Sequence, residues 1–97
     1  MKREIVLTRL RGCASEIKTR FGLRSIALFG SVARDQATGN SDVDVLIEFD
    51  GAADFDRFMD LKFHLEDLLG ARVDLVTQRA LRARLRPFIE REAIHVA

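Results

Sequence analysis

The chain has 97 residues, 47% hydrophobic and 32% charged, with a formal net charge of +1. That length fits one domain, residues 1–97, and so many apolar residues at so low a net charge exclude a disordered chain. The apolar runs fall far short of the roughly 20 residues of a membrane span, and Met1-Lys2-Arg3-Glu4 leads into a charged amphipathic stretch rather than a signal peptide. With Cys13 alone no internal disulfide can form, so the fold must rest on packing and suits a reducing cytoplasm.

Val6, Leu10, Cys13, Ala14, Ile17 and Phe21 recur at the 3.6-residue period and predict a first helix, with Cys13 on its buried face and Gly22 as its cap. Ser25 to Phe29 is a short apolar run stopped by Gly30, the pattern of a buried strand. Val32-Ala33-Arg34 can make one helical turn. Residues 35–41, DQATGNS, are turn-forming. Residues 42–49, DVDVLIEF, read as a second strand. Asp54 or Asp56 then caps a helix with Phe55, Phe58, Leu61, Leu65 and Leu68 on its apolar face and Gly70 at its end. Phe55, Phe58 and Phe63 are expected in the core, and His64 half-exposed beside the stripe. Residues 72–77, RVDLVT, make a third strand. From Gln78 on, a short helix and a second helix from Pro87 complete the chain, with His95 at a frayed end.

This order gives an α/β (α+β) fold: a small mixed sheet with helices mainly on one face. About a dozen residues join the first two strands, too few for a full parallel crossover, so that pair is expected to be antiparallel.

The charge is unevenly spread. Residues 1–24 carry seven basic and two acidic side chains, residues 25–77 four basic and eleven acidic, and residues 78–97 five basic and two acidic. An acidic middle between basic ends does not suit direct nucleic-acid binding, which favours an overall basic surface. It points to a cation site in the middle and to ends that dock on something acidic. Arg79, Arg82 and Arg86 are expected to share a helical face there.

The acidic middle also carries the chemistry. Alternation puts Asp42 and Asp44 on one face of their strand, their Cα atoms about 6.5–7 Å apart, while Val43, Val45 and Ile47 face the core. Asp74 has the same relation to Val73 and Leu75. If the two strands are neighbours, three carboxylates converge. Crowded carboxylates repel, and a hard cation such as Mg²⁺, which takes oxygen ligands, relieves that repulsion. Gly30-Ser31, at a strand end, can let a phosphate approach the backbone and offer it a hydroxyl. Arg34 either touches a phosphate or pairs with Asp35 or another acid. Ser41 flanks the same site.

Gly30-Ser31, ten residues, then Asp42-Val43-Asp44 resembles the signature of the DNA polymerase β-like nucleotidyltransferases. The stretch GSVARDQATGNSDVDVLIEF, with RVDLV and LRARLRPFIEREAIHV downstream, resembles more narrowly the minimal nucleotidyltransferases, the MNT antitoxins found beside HEPN-domain toxins. The resemblance implies that Asp42 and Asp44 hold two Mg²⁺ ions on the triphosphate of ATP. It implies that Asp74 ligates the catalytic ion and helps deprotonate an acceptor hydroxyl, and that Gly30 and Ser31 hold the phosphates. The expected activity is transfer of AMP to a HEPN-type toxin, in a hetero-oligomer, away from membranes. The alternative is an inactive antitoxin that neutralises the toxin by binding alone. Transfer to a small molecule ranks last, because enzymes of that kind usually carry a further domain around the acceptor. Asp35 departs from the family pattern, which often has glycine there.

Overall fold

A computed structural model describes residues 1–97. Helix α1 (Arg3–Phe21) buries Val6, Leu7, Leu10, Ala14, Ile17 and Phe21, and left-handed Gly22 caps it by donating its N–H to the Lys18 carbonyl. Leu7 fits the same stripe, three and seven residues before Leu10 and Ala14. Cys13 lies at its margin: it is half-buried rather than buried, and its thiol donates to the Arg9 carbonyl at 3.3 Å.

Strand β1 (Leu23–Phe29) runs into the four-residue helix α2 (Gly30–Ala33). Strand β2 (Val43–Phe49), helix α3 (Phe55–Leu69) and strand β3 (Val73–Thr77) follow. A single 3-10 turn (Gln78–Ala80), helix α4 (Arg86–Glu92) and strand β4 (Ile94–His95) complete the order. The sheet order is β3-β2-β1-β4. As the short connection requires, β1 and β2 are antiparallel; β2 and β3 are parallel, with α3 as their crossover.

The pleat sorts the side chains. Val43, Val45, Ile47 and Phe49 share the main core with Leu28, Ile26, Val73 and Leu75, under α1 and α3. On the opposite face Phe29, Leu46 and Leu81 form a smaller cluster, with Ile89 and Ala93 packed on it. The two long helices therefore cover one face, and the segment around α4 covers only part of the other. Asp54 caps α3, accepting the Arg57 N–H at 2.7 Å.

Three expectations need correction. Phe55 and Phe63 are 73% and 53% exposed, because the buried stripe of α3 is Leu61, Leu65 and Leu69. At 100° per residue Phe63 lies on the far side of the helix from Leu61, whereas Phe55 lies at the margin of the stripe and is exposed because it is the first residue of α3. Phe58 does pack against the core, and half-exposed His64 stacks against Phe21 with ring centroids 5.5 Å apart. The chain end is not frayed. β4 pairs with β1, and Ile26 N–H donates to the Ala97 carbonyl at 2.9 Å. A two-residue strand is too short to show a period. Finally, Arg79, Arg82 and Arg86 do not share a helix: the 3-10 turn ends at Ala80 and α4 begins at Arg86. Arg86 is a structural residue that donates to the Gln78 carbonyl at 3.0 Å and to its side-chain oxygen at 3.3 Å.

Candidate active site

Asp44 and Asp74 face each other across the parallel β2–β3 register. Neither belongs to the core face, since both alternate with buried valines and leucines. Burial pushes the Asp44 carboxyl up from 3.8 to about 6; the Asp74 charge and a hydrogen bond shared with that carboxyl add to the rise, as does Asp42, while Arg34 opposes it. The two strands thus hold an anionic pair that a cation would relieve.

Gly30 lies directly against Asp44. Its φ is +75°, and a Cβ built on it would stand 2.0 Å from Asp44 Oδ2. No other residue fits there without moving the carboxylate. The turn that follows is fixed from a distance in sequence. Glu92, on α4, accepts the Gly30 N–H at 3.1 Å through Oε1, and its Oε2 pairs with Arg34 at 2.7 Å. Arg34 therefore pairs with an acid, but the acid is Glu92 and not its neighbour Asp35. Asp35 adopts φ 59°. This left-handed backbone gives a conformational reason for glycine at that position, and aspartate is among the few other residues that tolerate it. Ser31 is half-buried in the same turn.

The remaining candidates lie at the edge. Asp42 precedes β2, is exposed, and pairs with Arg72 at 3.1 Å, while Arg72 also donates to the Asn40 carbonyl at 3.3 Å. Ser41 closes the preceding turn: its Oγ accepts the Thr38 N–H at 2.9 Å. The structure thus brings together Asp44, Asp74, Gly30 and Arg34, sets Asp42 within electrostatic reach of Asp44, and uses Ser41 in its loop. No three His, Cys, Asp or Glu side chains are drawn into a closed set of metal ligands. The donor set nonetheless fits Mg²⁺: it consists of carboxylate oxygens, and the crowding of Asp44 against Asp74 is of the kind a hard cation offsets. Glu92 was not expected from the sequence. It lies 62 residues from Gly30, in a helix whose pattern gives no sign of a partner.

The site is an open sheet face, not a cavity. A cavity of about 420 Å³, lined by Arg24, Glu48, Phe49, Thr77 and Arg79 among others, lies toward the other ends of β2 and β3 and includes none of these carboxylates.

Residues 10–96 match the model of the nucleotidyltransferase domain family. The chain is 41% identical over 81 residues to the protein adenylyltransferase MntA of Thermococcus cleftensis, covering 84% of this chain and 82% of that protein. A solved structure assigned as a minimal nucleotidyltransferase superposes with a TM-score of 0.84 at 40% identity, covering 97% of this chain and 95% of the other. The fold also matches one chain of a solved complex, described as tri-AMPylated Shewanella oneidensis HEPN toxin with MNT antitoxin, with a TM-score of 0.69 at 19% identity, covering 94% of this chain and 71% of that one. With its paired strand carboxylates under a glycine turn, this chain belongs to the nucleotidyltransferase domain family, in its minimal, MntA-like branch.

Proposed function

We propose that this chain is an antitoxin that transfers AMP from ATP to a hydroxyl of a HEPN-type toxin and so neutralises it. The observation that carries the reading is the Asp44–Asp74 pair held against side-chain-free Gly30. The similarity to a protein adenylyltransferase supports the reaction type, and the AMPylated toxin in the Shewanella complex supports the kind of acceptor.

Asp42, Asp44 and Asp74 are the residues that would hold Mg²⁺, two ions in all, with Asp42 exchanging its Arg72 partner for that role. When bound, Mg²⁺ neutralises the triphosphate and activates the acceptor hydroxyl. The protein's own groups do the rest. Gly30 leaves room for the Asp44 carboxylate beside the turn that would receive the phosphates, the Ser31 hydroxyl donates to one of them, and Arg34 supplies a positive charge beside them. The acceptor oxygen bonds to the α-phosphorus, the bond to pyrophosphate breaks, and the hydroxyl proton passes to the Asp74 carboxylate. The open face fits an acceptor brought by a second protein. The chain has no tyrosine, so a phenolic acceptor must be the partner's. A hetero-oligomer in the cytoplasm, where ATP is plentiful, is the setting this implies.

Binding alone is the second reading. It is favoured by one observation: Asp42 and Arg34 are already engaged, with Arg72 and Glu92. Intact mass spectrometry separates the two after the chain, its toxin, ATP and Mg²⁺ are incubated together. A gain of one or more AMP masses on the toxin is expected. Neutralisation of an unmodified toxin would leave the binding reading standing.

A further inference from the structure

Glu92 bridges the C-terminal part of the fold and the turn beside the carboxylates. One carboxylate oxygen accepts the Gly30 N–H at 3.1 Å, and the other pairs with the Arg34 guanidinium at 2.7 Å. Glu92 ends α4 and lies two residues before β4, which is tied to β1 by its own ladder. Its backbone is therefore anchored to the strand that leads into Gly30. A bridge through one carboxylate to two groups four residues apart fixes both the start of the turn and the side chain at its end. The Arg34 pair is short and charge-assisted, and the Glu92 side chain is only 25% exposed, so water screens it less than a fully solvated pair.

Gly30 cannot serve the nucleotide through its N–H while Glu92 holds it; its contribution is the space above Asp44. Arg34 is different. A free arginine side chain loses rotamer freedom when it is fixed on a ligand. Bound to Glu92 through Nη1, much of that ordering precedes ligand binding, and Nη2 remains to donate to a phosphate. Arg34 also donates from Nε to the Gln36 side chain at 3.2 Å, a second restraint on the same group.

We infer that Glu92 is a positioning residue for nucleotide binding: it orients Arg34 and pins the Gly30 turn against Asp44, acting through those groups rather than touching the reacting atoms. The inference rests on the nucleotide-site reading above. Glu92 takes no part in the hydrophobic core, and the double-variant comparison below separates this role from any effect on folding.

The test measures affinity for ATP with Mg²⁺ by calorimetry on the full chain. The variants are Glu92→Ala, Glu92→Gln, Arg34→Ala and the Arg34→Ala/Glu92→Ala pair, each with a melting temperature and an amide spectrum. Glu92→Ala should weaken binding by about tenfold, the scale of one oriented charge-assisted contact, and should release the Gly30 amide from its hydrogen-bonded shift. Glu92→Gln keeps an acceptor for Gly30 and should recover part of the affinity. In the Arg34→Ala background the Glu92→Ala effect should shrink to less than about twofold, because groups that act through one another are not additive. Unchanged or tighter binding by Glu92→Ala, or an effect that is undiminished without Arg34, overturns the positioning role. Tighter binding would mean that Glu92 competes with the phosphates. Failure of the unaltered chain to bind ATP with Mg²⁺, with the Gly30 amide still hydrogen-bonded, overturns the nucleotide site itself and this role with it.

Discussion

Replacing Asp44 with asparagine should make the protein more stable and inactive at once. The carboxyl is displaced from 3.8 to about 6, with burial the first cause and Asp74 the second. The native state therefore binds more protons than the unfolded state between about pH 4 and pH 6, and stability falls as pH rises through that window. A displacement of roughly two pH units corresponds to about 3 kcal/mol. Asp44 is partly open to water, and screening leaves about 1–1.5 kcal/mol of that. Asp44→Asn removes the cost at neutral pH, and its amide can donate to the Asp74 carboxylate. The expected gain is about 5–10 °C in melting temperature for a domain of this size. Because the unaltered carboxyl is protonated in both states below about pH 4, the gain should shrink toward zero there. Thermal scans at pH 4 and pH 7.5, in chelator, measure both numbers. AMP transfer with labelled ATP should be lost. A variant less stable than the parent at pH 7.5, or a gain of equal size at both pH values, would refute the argument that burial and the Asp74 charge make the ionised carboxyl costly.

Other perturbations follow from the same geometry. Gly30→Val should abolish transfer and destabilise the fold by about 2–3 kcal/mol, through left-handed strain and collision with Asp44; denaturant titration and the transfer assay both report it. Asp35→Gly should raise stability by about 0.5–1 kcal/mol by relieving its positive φ, without loss of transfer; a decrease in the denaturation midpoint would contradict the backbone account. Charge reversal at exposed Arg79, Arg82 and Arg84 should weaken toxin binding most at low salt, while ATP binding with Mg²⁺ stays intact; salt-independent loss in a pull-down titration would speak against docking by charge. Arg86→Glu should instead lower the melting temperature, because Arg86 holds the backbone at Gln78.

The sheet and the Asp44–Asp74 pair were legible because both depend on alternation, a property of neighbouring residues. Val43, Val45 and Ile47 marked the core face, and the short link from Phe29 to Val43 excluded a parallel pairing of β1 and β2. What stayed hidden depends on residues far apart in the chain. Glu92 has no local feature that ties it to Gly30. Arg72 beside Asp42, and Arg86 beside Gln78, are also products of the folded arrangement. The tail escapes the sequence pattern for a different reason. β4 is two residues long, and its stability comes from the open edge of β1 rather than from its own pattern. Residue type alone suggests a buried Phe63, and helical phase puts it outside; Phe55 keeps the phase of the stripe's margin but stands at the first residue of α3, beyond the end of the core.

The pleat of β2 has an evolutionary consequence. Odd-numbered positions 43, 45, 47 and 49 lie in the main core, whereas positions 44, 46 and 48 look toward the site and the C-terminal cover. Selection on the main core and selection on chemistry therefore act on alternate letters of one seven-residue word, with Leu46 alone among the even ones held by packing on the opposite face. A lineage meeting a new acceptor can change positions 44 and 48, and the loops that frame them, with little effect on the odd ones. The same separation lets the chemistry lapse without loss of the fold. Relatives that have lost transfer should then show drift at positions 44 and 74 beside an unchanged run of valine and isoleucine.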